Sequence, residues 1–229
     1  MRVLRGIGFL VSTTLIYLGT AILGWGLADV SGFLSLAPRA AYALVVLALA
    51  LVVAAVGMDS PDSIRGSRGQ QGKLISRQSI VRWVLVAALL GALVLLPFAD
   101  RRGIGVLAES LGLRWLGVIL FALSSALILS SSVALGRLYS PEVTIQQDHR
   151  LITDGPYRYV RHPRYAGAIL LAIGLPLVFR SWIALVLCPA IVAVILQRIR
   201  DEETLMKQEF GQEWEAYCKR SWRLIPWVY

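Results

Sequence analysis

The sequence predicts an all-α integral membrane protein with about six hydrophobic helices, of which the last two form a short hairpin before a cytoplasmic helical tail. Hydrophobic residues make up 57% of the 229 positions and charged residues only 16%, which is too apolar for a soluble domain of this length. Four long apolar stretches, each close to the roughly 20 residues that cross a bilayer core, support this prediction. They are residues 6–27, 40–56, 81–98 and 115–135, and Arg82 is the one charged residue among them.

These four stretches predict helices because the strands of a membrane barrel would alternate apolar with polar positions. A polar segment follows, and then two shorter apolar stretches, residues 165–179 and 182–196. Both are somewhat short for a full bilayer core, so we predict that they form a helical hairpin. We divide the chain into a four-helix transmembrane region of unassigned role, residues 1–135, and a second region, residues 136–229, that holds the polar segment, the hairpin and the tail.

The distribution of basic residues predicts that both termini are cytoplasmic. With a cytoplasmic N-terminus and six crossings, 18 of the 23 Lys and Arg residues fall on the cytoplasmic side, as the positive-inside rule expects. The net charge of +9 is therefore explained by topology and by contact with anionic membrane lipids, and it does not indicate a nucleic-acid partner. A cleaved signal peptide is the alternative for the N-terminus, but the first apolar stretch is longer than a signal core.

The cysteines and histidines do not predict a metal site. Cys188 lies in an apolar stretch and Cys218 in a basic segment, so both are predicted to be free thiols. His149 is predicted to be a loop residue, whereas His162 directly precedes Pro163, which disfavours helix at that position and places the histidine at the mouth of the fifth span.

The hairpin brings two distant segments to the same membrane depth. Because its two arms are nearly equal in length, the residues before the first arm, 161–163, should face the residues after the second, 200–203. The first segment holds Arg161 and His162, and the second holds two adjacent carboxylates, Glu202 and Glu203. We therefore expect a cluster of arginines, a histidine and carboxylates at the cytoplasmic interface, as a site or as a set of ion pairs.

The same segments carry a family resemblance. Residues 151–167, LITDGPYRYVRHPRYAG, resemble the signature of the isoprenylcysteine carboxyl methyltransferase family and of its phospholipid N-methyltransferase relatives. The adjacent glutamates follow in the same order as in that family, and after them come Phe210-Gly211, Trp214, Tyr217 and the sequence RLIP at 223–226. The resemblance covers residues 136–229, about four-tenths of the chain, and it implies that this second region is a methyltransferase-like catalytic region.

This resemblance implies methyl transfer from S-adenosylmethionine to a lipidic acceptor, with the cofactor entering from the cytosol and the acceptor from the bilayer. The acceptor would be the carboxylate of a prenylcysteine-like compound, a phospholipid amine, another small lipid or a thiol. Such a displacement needs positioning and charge placement and requires no metal. By resemblance, Arg161 and Arg220 hold the acceptor, and the cofactor contacts Gly155, Pro156, Tyr157, Tyr159, His162, Pro163, Tyr165, Gly167, Glu202 and Glu203.

Each of these roles has a structural alternative. The two glutamates offer acceptors for an amino group or ribose hydroxyls, or they pair with Arg198 or Arg200 on the same helix. The tyrosines offer aromatic faces to adenine or to a sulfonium, or they form an interfacial aromatic belt. Gly155 and Gly167 would allow close approach of the backbone to a ligand, and Arg220 would otherwise anchor to phospholipid.

Two other functions remain open from the sequence. Membrane sterol reductases have a similar C-terminal region but use a nicotinamide cofactor, and the adjacent Glu202 and Glu203 favour the methyltransferase over them. The chain could alternatively be a non-catalytic lipid-binding or scaffold protein, but the motif positions are intact.

Overall fold

The protein is an all-helical bundle. Its structure, a computed structural model, describes residues 1–61, 76–136 and 151–227, and their side chains except those of residues 76–80. His149 and much of the polar loop after the second span lie outside the described residues. The helices are α1 (Arg2–Thr14), α2 (Thr20–Trp25), α3 (Val30–Leu34), α4 (Ala37–Asp59), α5 (Ser76–Arg102), α6 (Leu111–Leu135), α7 (Pro163–Val178), α8 (Trp182–Phe210) and α9 (Gln212–Arg220).

Six of these segments match the six predicted hydrophobic helices. Five are long and apolar enough to span a membrane, namely Arg2–Trp25, α4, the part of α5 from Val81 to Arg102, α6 and α8. The sixth is the shorter apolar helix α7, which has 16 residues. Within the first span, a π-helical turn, Leu15–Gly19, joins α1 to α2. The predicted multi-pass membrane fold is therefore confirmed.

The hairpin differs from the prediction in the length of its second arm. The last apolar stretch was expected to end at Leu196, but α8 has 29 residues and continues to Phe210. The extra residues are mostly good helix formers such as Gln, Arg, Glu, Leu and Met. The helix ends at Gly211, whose φ of +48° suits a glycine C-cap. Glu202 and Glu203 are therefore held on a rigid helix.

Glycines allow α6 and α7 to approach closely. A Cβ placed on Gly117 would lie 2.5 Å from the backbone nitrogen of Val178, and one placed on Gly174 would lie 3.0 Å from that of Phe121. Gly167 is packed in the same way against α6, and its carbonyl accepts a hydrogen bond of 2.8 Å from Ser124 Oγ. Small residues at helix crossings are typical of membrane bundles. The crossing fixes the position of α7.

A buried ion cluster, here called the Asp100 cluster, connects several helices at the end of the bundle where the α7–α8 turn lies. Arg114 donates to both oxygens of Asp100, at 2.8 and 2.9 Å, and to Glu109 at 2.7 Å. Arg180 from the turn lies 2.9 Å from Asp100, and Arg39 lies 3.4 Å from it. The carboxylate of Asp100 is fully buried. The cluster thus connects α4, α5, α6 and the hairpin turn at the end opposite to the motif residues.

Candidate functional site

The start of α7 pairs with the C-terminal segment that follows α9. His162 is the N-cap of α7 and Pro163 is its first residue, a position where proline is favoured because its missing N–H is not needed. The backbone N–H of Arg161 donates to the carbonyl of Trp222 at 2.7 Å, and that of Trp222 donates to Tyr159 at 2.9 Å. The N–H of His162 donates to Arg223 at 3.1 Å. These backbone hydrogen bonds therefore position the motif, in addition to the side-chain contacts described next.

Four side chains from this junction and from α8 form a second ion cluster, here called the Glu203 cluster. Glu203 Oε1 lies 3.2 Å from His162 Nε2, 3.4 Å from Arg161 Nε and 3.0 Å from Arg223 Nε. The carboxylate is largely buried, with its side chain 13% exposed. The two segments that the hairpin geometry predicted to face each other are therefore in contact.

Arg161 links three parts of this junction. Its Nε faces Glu203, and its Nη1 donates to the carbonyls of Cys218, at 3.1 Å, and Ser221. Its Nη2 makes no hydrogen bond to a residue in the described part of the chain, and the side chain borders the cavity described next. Arg161 thus has a structural role and retains donors that face the cavity.

A cavity of about 600 Å³ runs from this junction between α5, α7 and α8. This volume lies within the range of small-molecule sites. Its polar end is lined by Arg82, Tyr157, Arg161, His162, Arg164, Tyr165, Arg198, Glu202, Trp214 and Tyr217. Its apolar part is lined by Leu85, Val86, Leu89, Ala92, Leu96, Leu171, Ala172, Leu175, Ala184, Leu187 and Ile191, among others. One continuous space therefore joins a polar and an apolar compartment.

Aromatic side chains form one wall of the polar end. Tyr217 Oη donates to the carbonyl of Tyr157 at 2.7 Å, and the rings of Trp214 and Tyr217 meet edge to face at 5.6 Å. Burial raises the pKa of Tyr217 to about 12 and also raises the pKa of the Tyr157 phenol. Both phenols are therefore neutral at physiological pH, and they act as hydrogen-bonding and aromatic surfaces.

The polar end carries more positive than negative charge. Four arginines line it, whereas Glu202 is the one carboxylate among the described lining residues; the arginines are Arg82, Arg161, Arg164 and Arg198. Arg198 Nε lies 3.4 Å from the hydroxyl of Tyr165. Glu203, the next residue of α8, belongs to the Glu203 cluster and is not among the described residues that line the cavity. The two adjacent glutamates therefore have different surroundings, and the excess of arginine favours an anionic ligand.

The structure brings some of the predicted site residues to the cavity and leaves others away from it. Five line it: Tyr157, Arg161, His162, Tyr165 and Glu202. Tyr159 is 63% exposed, and Arg220 is exposed over the ring of Tyr217. Gly155 has a φ of +58° at the turn that Pro156 continues, and Gly167 lies at the α6 crossing. Pro163 starts α7. The glycines and prolines thus shape the backbone around the site.

Several lining residues were not assigned a role from the sequence. On α8 they follow a helical stripe that the sequence does show, with spacings of three and four residues: Ile191, Ile195, Arg198, Glu202 and Met206. Trp214 and Tyr217 are among the residues that carry the family resemblance in the sequence, but no function was assigned to them there. By contrast, Arg82 and the apolar wall of α5 lie outside every motif, and only the tertiary structure identifies them.

Comparisons with known proteins agree with this geometry. Residues 115–208 match the Isoprenylcysteine carboxyl methyltransferase (ICMT) family. Protein-S-isoprenylcysteine O-methyltransferase of Schizosaccharomyces pombe is 33% identical over 102 residues, which are 43% of each chain. The Delta(14)-sterol reductase of Mus musculus is 31% identical over 83 residues, 35% of this chain and 20% of that one. The chain spans about half the length of the curated relatives it matches.

A solved structure shares the whole fold. The eukaryotic intramembrane Ras methyltransferase ICMT superposes with a TM-score of 0.53 over 97% of this chain and 75% of that chain, at 18% sequence identity. The matched residues 115–208 contain α6, the hairpin and most of the polar end of the cavity. Through these residues the chain is similar to the isoprenylcysteine carboxyl methyltransferase family, and it shares a fold with that solved structure.

Proposed function

We propose that this protein transfers a methyl group from S-adenosylmethionine to a lipidic acceptor at the cytoplasmic face of its membrane. The observation that carries the proposal is the single cavity that joins a polar, charged end to an apolar trough between α5, α7 and α8. A hydrophilic donor and an amphiphilic acceptor can meet in such a space. The relatives named for isoprenylcysteine methylation support the same reaction class.

The residues at the polar end fit the donor. Glu202 offers a carboxylate for an amino group or for ribose hydroxyls, and the lining arginines offer partners for a carboxylate. His162 lines the same space and is oriented by its contact with Glu203. The rings of Tyr157, Tyr165 and Trp214 provide aromatic faces for adenine or for a positive sulfonium.

The charge of the site favours a carboxylate acceptor over an amine. S-adenosylmethionine supplies a methyl group on a positive sulfonium; in the transfer, the acceptor oxygen forms the new bond to carbon and the sulfur keeps the electron pair. A carboxylate acceptor needs no general base, whereas an amine does. Arginines that neutralise a carboxylate also attract it to the site, and Arg161 is placed to hold it beside the donor.

The acceptor enters sideways from the membrane in this proposal. The helix α5 packs mainly against α2 and less extensively against α7 and α8, and it lines the apolar trough; the proposed route from lipid runs between α5 and the hairpin. Because the basic residues concentrate at the same end as the motif, that end and both termini lie on the cytoplasmic side. The donor then reaches the polar end from the cytosol.

Calorimetric titration of the purified protein with S-adenosylhomocysteine and with NADPH tests the donor. The methyltransferase requires binding of the first and no binding of the second, and a sterol reductase requires the reverse. Replacing Glu202 by Gln removes a charged hydrogen-bond acceptor, worth about 1.5 to 3 kcal/mol, so affinity for S-adenosylhomocysteine should fall roughly tenfold to over a hundredfold.

The matched control is Glu209→Gln, which changes an exposed carboxylate on the same helix. It should bind S-adenosylhomocysteine as the wild type does. Equal affinities for the wild type and for Glu202→Gln would remove Glu202 from the donor site. If neither S-adenosylhomocysteine nor NADPH binds, the lipid-binding alternative is favoured. Radiolabelled S-adenosylmethionine with a panel of lipid and thiol acceptors would then show no methyl transfer.

A further inference from the structure

The first membrane span contributes a side chain to the cavity although it lies outside the family match. Tyr17 lines the cavity wall together with residues of α5 and α7, and it lies in the π-helical turn Leu15–Gly19. In this turn the N–H of Thr20 donates to the carbonyl of Leu15, five residues back. Such turns occur frequently at functional sites because they change the direction of side chains locally.

Hydroxyl groups hold this turn in place. A wider turn leaves carbonyls without their usual partner four residues ahead, and here side chains satisfy two of them. Tyr42 Oη donates to the carbonyl of Tyr17 at 2.7 Å, and Thr20 Oγ1 donates to that of Ile16. Tyr42 is fully buried, and the ring of Phe121 meets that of Tyr17 edge to face at 6.0 Å. The backbone and the ring of Tyr17 are therefore fixed from two sides.

The hydroxyl of Tyr17, in contrast, has no hydrogen-bond partner among the residues that the structure describes. Its ring is partly buried and packs against the main core, as do Leu89, Ala92 and Leu171, which also line the cavity. Buried tyrosine hydroxyls usually find a partner, because burying one without a hydrogen bond is unfavourable. A polar group placed in an apolar wall and facing a cavity therefore points to a partner on the ligand.

The depth of Tyr17 in the cavity follows from the helix crossing. Its ring contacts Phe121, and the backbone of Phe121 is level with Gly174 of α7. Gly174 comes twelve residues after His162, which at 1.5 Å per residue is roughly 15 to 20 Å from the polar end. A fully extended peptide advances about 3.6 Å over three bonds, or about 1.2 Å per bond. At the same advance per bond, an extended alkyl tail covers this distance in roughly 12 to 16 bonds.

We propose that the hydroxyl of Tyr17 hydrogen-bonds to a polar group carried partway along the tail of the acceptor. This inference rests on the proposed function, since it takes the apolar trough to hold the acceptor. The preferred acceptor is then an amphiphile with an anionic head and a hydroxyl, carbonyl or ether group in its chain, and not one with a plain hydrocarbon tail. Tyr17 is thus a specificity-determining residue supplied by the region that precedes the family match.

Binding of matched fatty acids to the full-length protein in detergent tests the proposal. Octadecanoate and its 12-hydroxy derivative share the head and the chain length and differ in one hydroxyl at the depth of Tyr17. The wild type should bind the hydroxy acid roughly three- to tenfold more tightly, the effect of one neutral hydrogen bond. In Tyr17→Phe, which keeps the ring, this preference should disappear. The 3-hydroxy derivative, with its hydroxyl near the head, should show no dependence on Tyr17.

The control variant is Ser130→Ala, which removes an exposed hydroxyl of α6 outside the cavity and should keep the preference for the 12-hydroxy acid. Titration with S-adenosylhomocysteine is carried out on every variant and should be unaffected by Tyr17→Phe. Equal binding of the two acids by the wild type, or a preference that survives in Tyr17→Phe, overturns the role of Tyr17. Failure of the wild type to bind S-adenosylhomocysteine instead overturns the proposed function, so the two failures are distinguishable.

Discussion

The two ends of the bundle each gather several cations around one carboxylate, and the cavity described above borders one of these two clusters. At one end Asp100 is fully buried, and its three arginines also bind Glu109 and backbone carbonyls such as that of Val178. At the other end Glu203 is bound by Arg161, His162 and Arg223, two of which also line the cavity. Similar ion pairs thus join helices in one place and border a cavity in the other.

The difference lies in what each cluster leaves available. In the Asp100 cluster the guanidinium of Arg114 has protein partners on Nε and on both terminal nitrogens. In the Glu203 cluster Arg161 uses Nε and Nη1 for the protein and presents its remaining donors to the cavity. A cluster whose donors are all used inside the protein stabilises it, whereas one with donors left over can also hold a ligand.

The largest effect is expected from Asp100→Asn. This change keeps the shape of the side chain but removes the charge that Arg39, Arg114 and Arg180 share, and loss of one partner of a buried pair costs about 3 to 5 kcal/mol. Thermal unfolding of the purified protein should show a strongly lowered midpoint. Asp59→Asn is the control because its contact with Arg2 is exposed and 4.0 Å long. If both variants unfold like the wild type, the Asp100 cluster does not stabilise the bundle.

A smaller and mixed effect is expected from Glu203→Gln. The amide lacks the charge that Arg161, His162 and Arg223 share, so the free energy of unfolding should fall by about 1.5 to 3 kcal/mol. Affinity for S-adenosylhomocysteine should also fall, because the polar wall of the cavity becomes less rigid. Glu202→Gln should lower affinity without lowering the unfolding midpoint. For each variant, the loss of affinity is compared with the drop in the unfolding midpoint. This comparison shows whether that glutamate acts mainly on ligand binding or mainly on stability. Identical behaviour of the two variants would contradict the separation of their roles.

The smallest effect is expected from Tyr217→Phe, which removes the hydrogen bond to the carbonyl of Tyr157 and should cost about 1 kcal/mol. Burial raises the pKa of Tyr217 from 10.0 to about 12. Because the folded state favours the neutral phenol, its contribution is complete below pH 10 and is lost as the pH rises from 10 towards 12. The unfolding midpoint of the wild type should therefore fall towards that of the variant as the pH rises above 10, and it should pass below that of the variant at about pH 11, because two pKa units correspond to about 2.7 kcal/mol. A difference that stays constant across this range would exclude ionisation of Tyr217.

Much of the fold could be predicted because lipid imposes simple rules on the sequence. The six hydrophobic helices follow from the length of the apolar stretches, and the contact between Arg161 and Glu203 follows from the geometry of the hairpin. The Asp100 cluster could not be predicted in this way. Its arginines were interpreted as topological charges, and no spacing in the sequence shows that two helices and the hairpin turn bring them to one carboxylate on a third helix.

The finer assignment of the site also depended on three-dimensional information. Glu202 and Glu203 are adjacent, and successive residues of a helix point about 100° apart, so only one of them faces the cavity. Their sequence alone does not fix which one. Gly167 lies in a matched motif but packs against α6, and Tyr17 lies in an ordinary apolar stretch whose π-helical turn has no recognised sequence signal. These residues are defined by contacts between distant elements.

The pairing of the start of α7 with Trp222 and Arg223 has a consequence for the order of assembly. These two residues follow the last membrane span, so they emerge from the ribosome after all six hydrophobic helices have been made. The bundle and its Asp100 cluster can therefore form in the membrane while the polar wall of the cavity is still incomplete. The polar wall is complete only when the residues after α9 return to the start of α7, so the last step of assembly takes place after the membrane helices have been made.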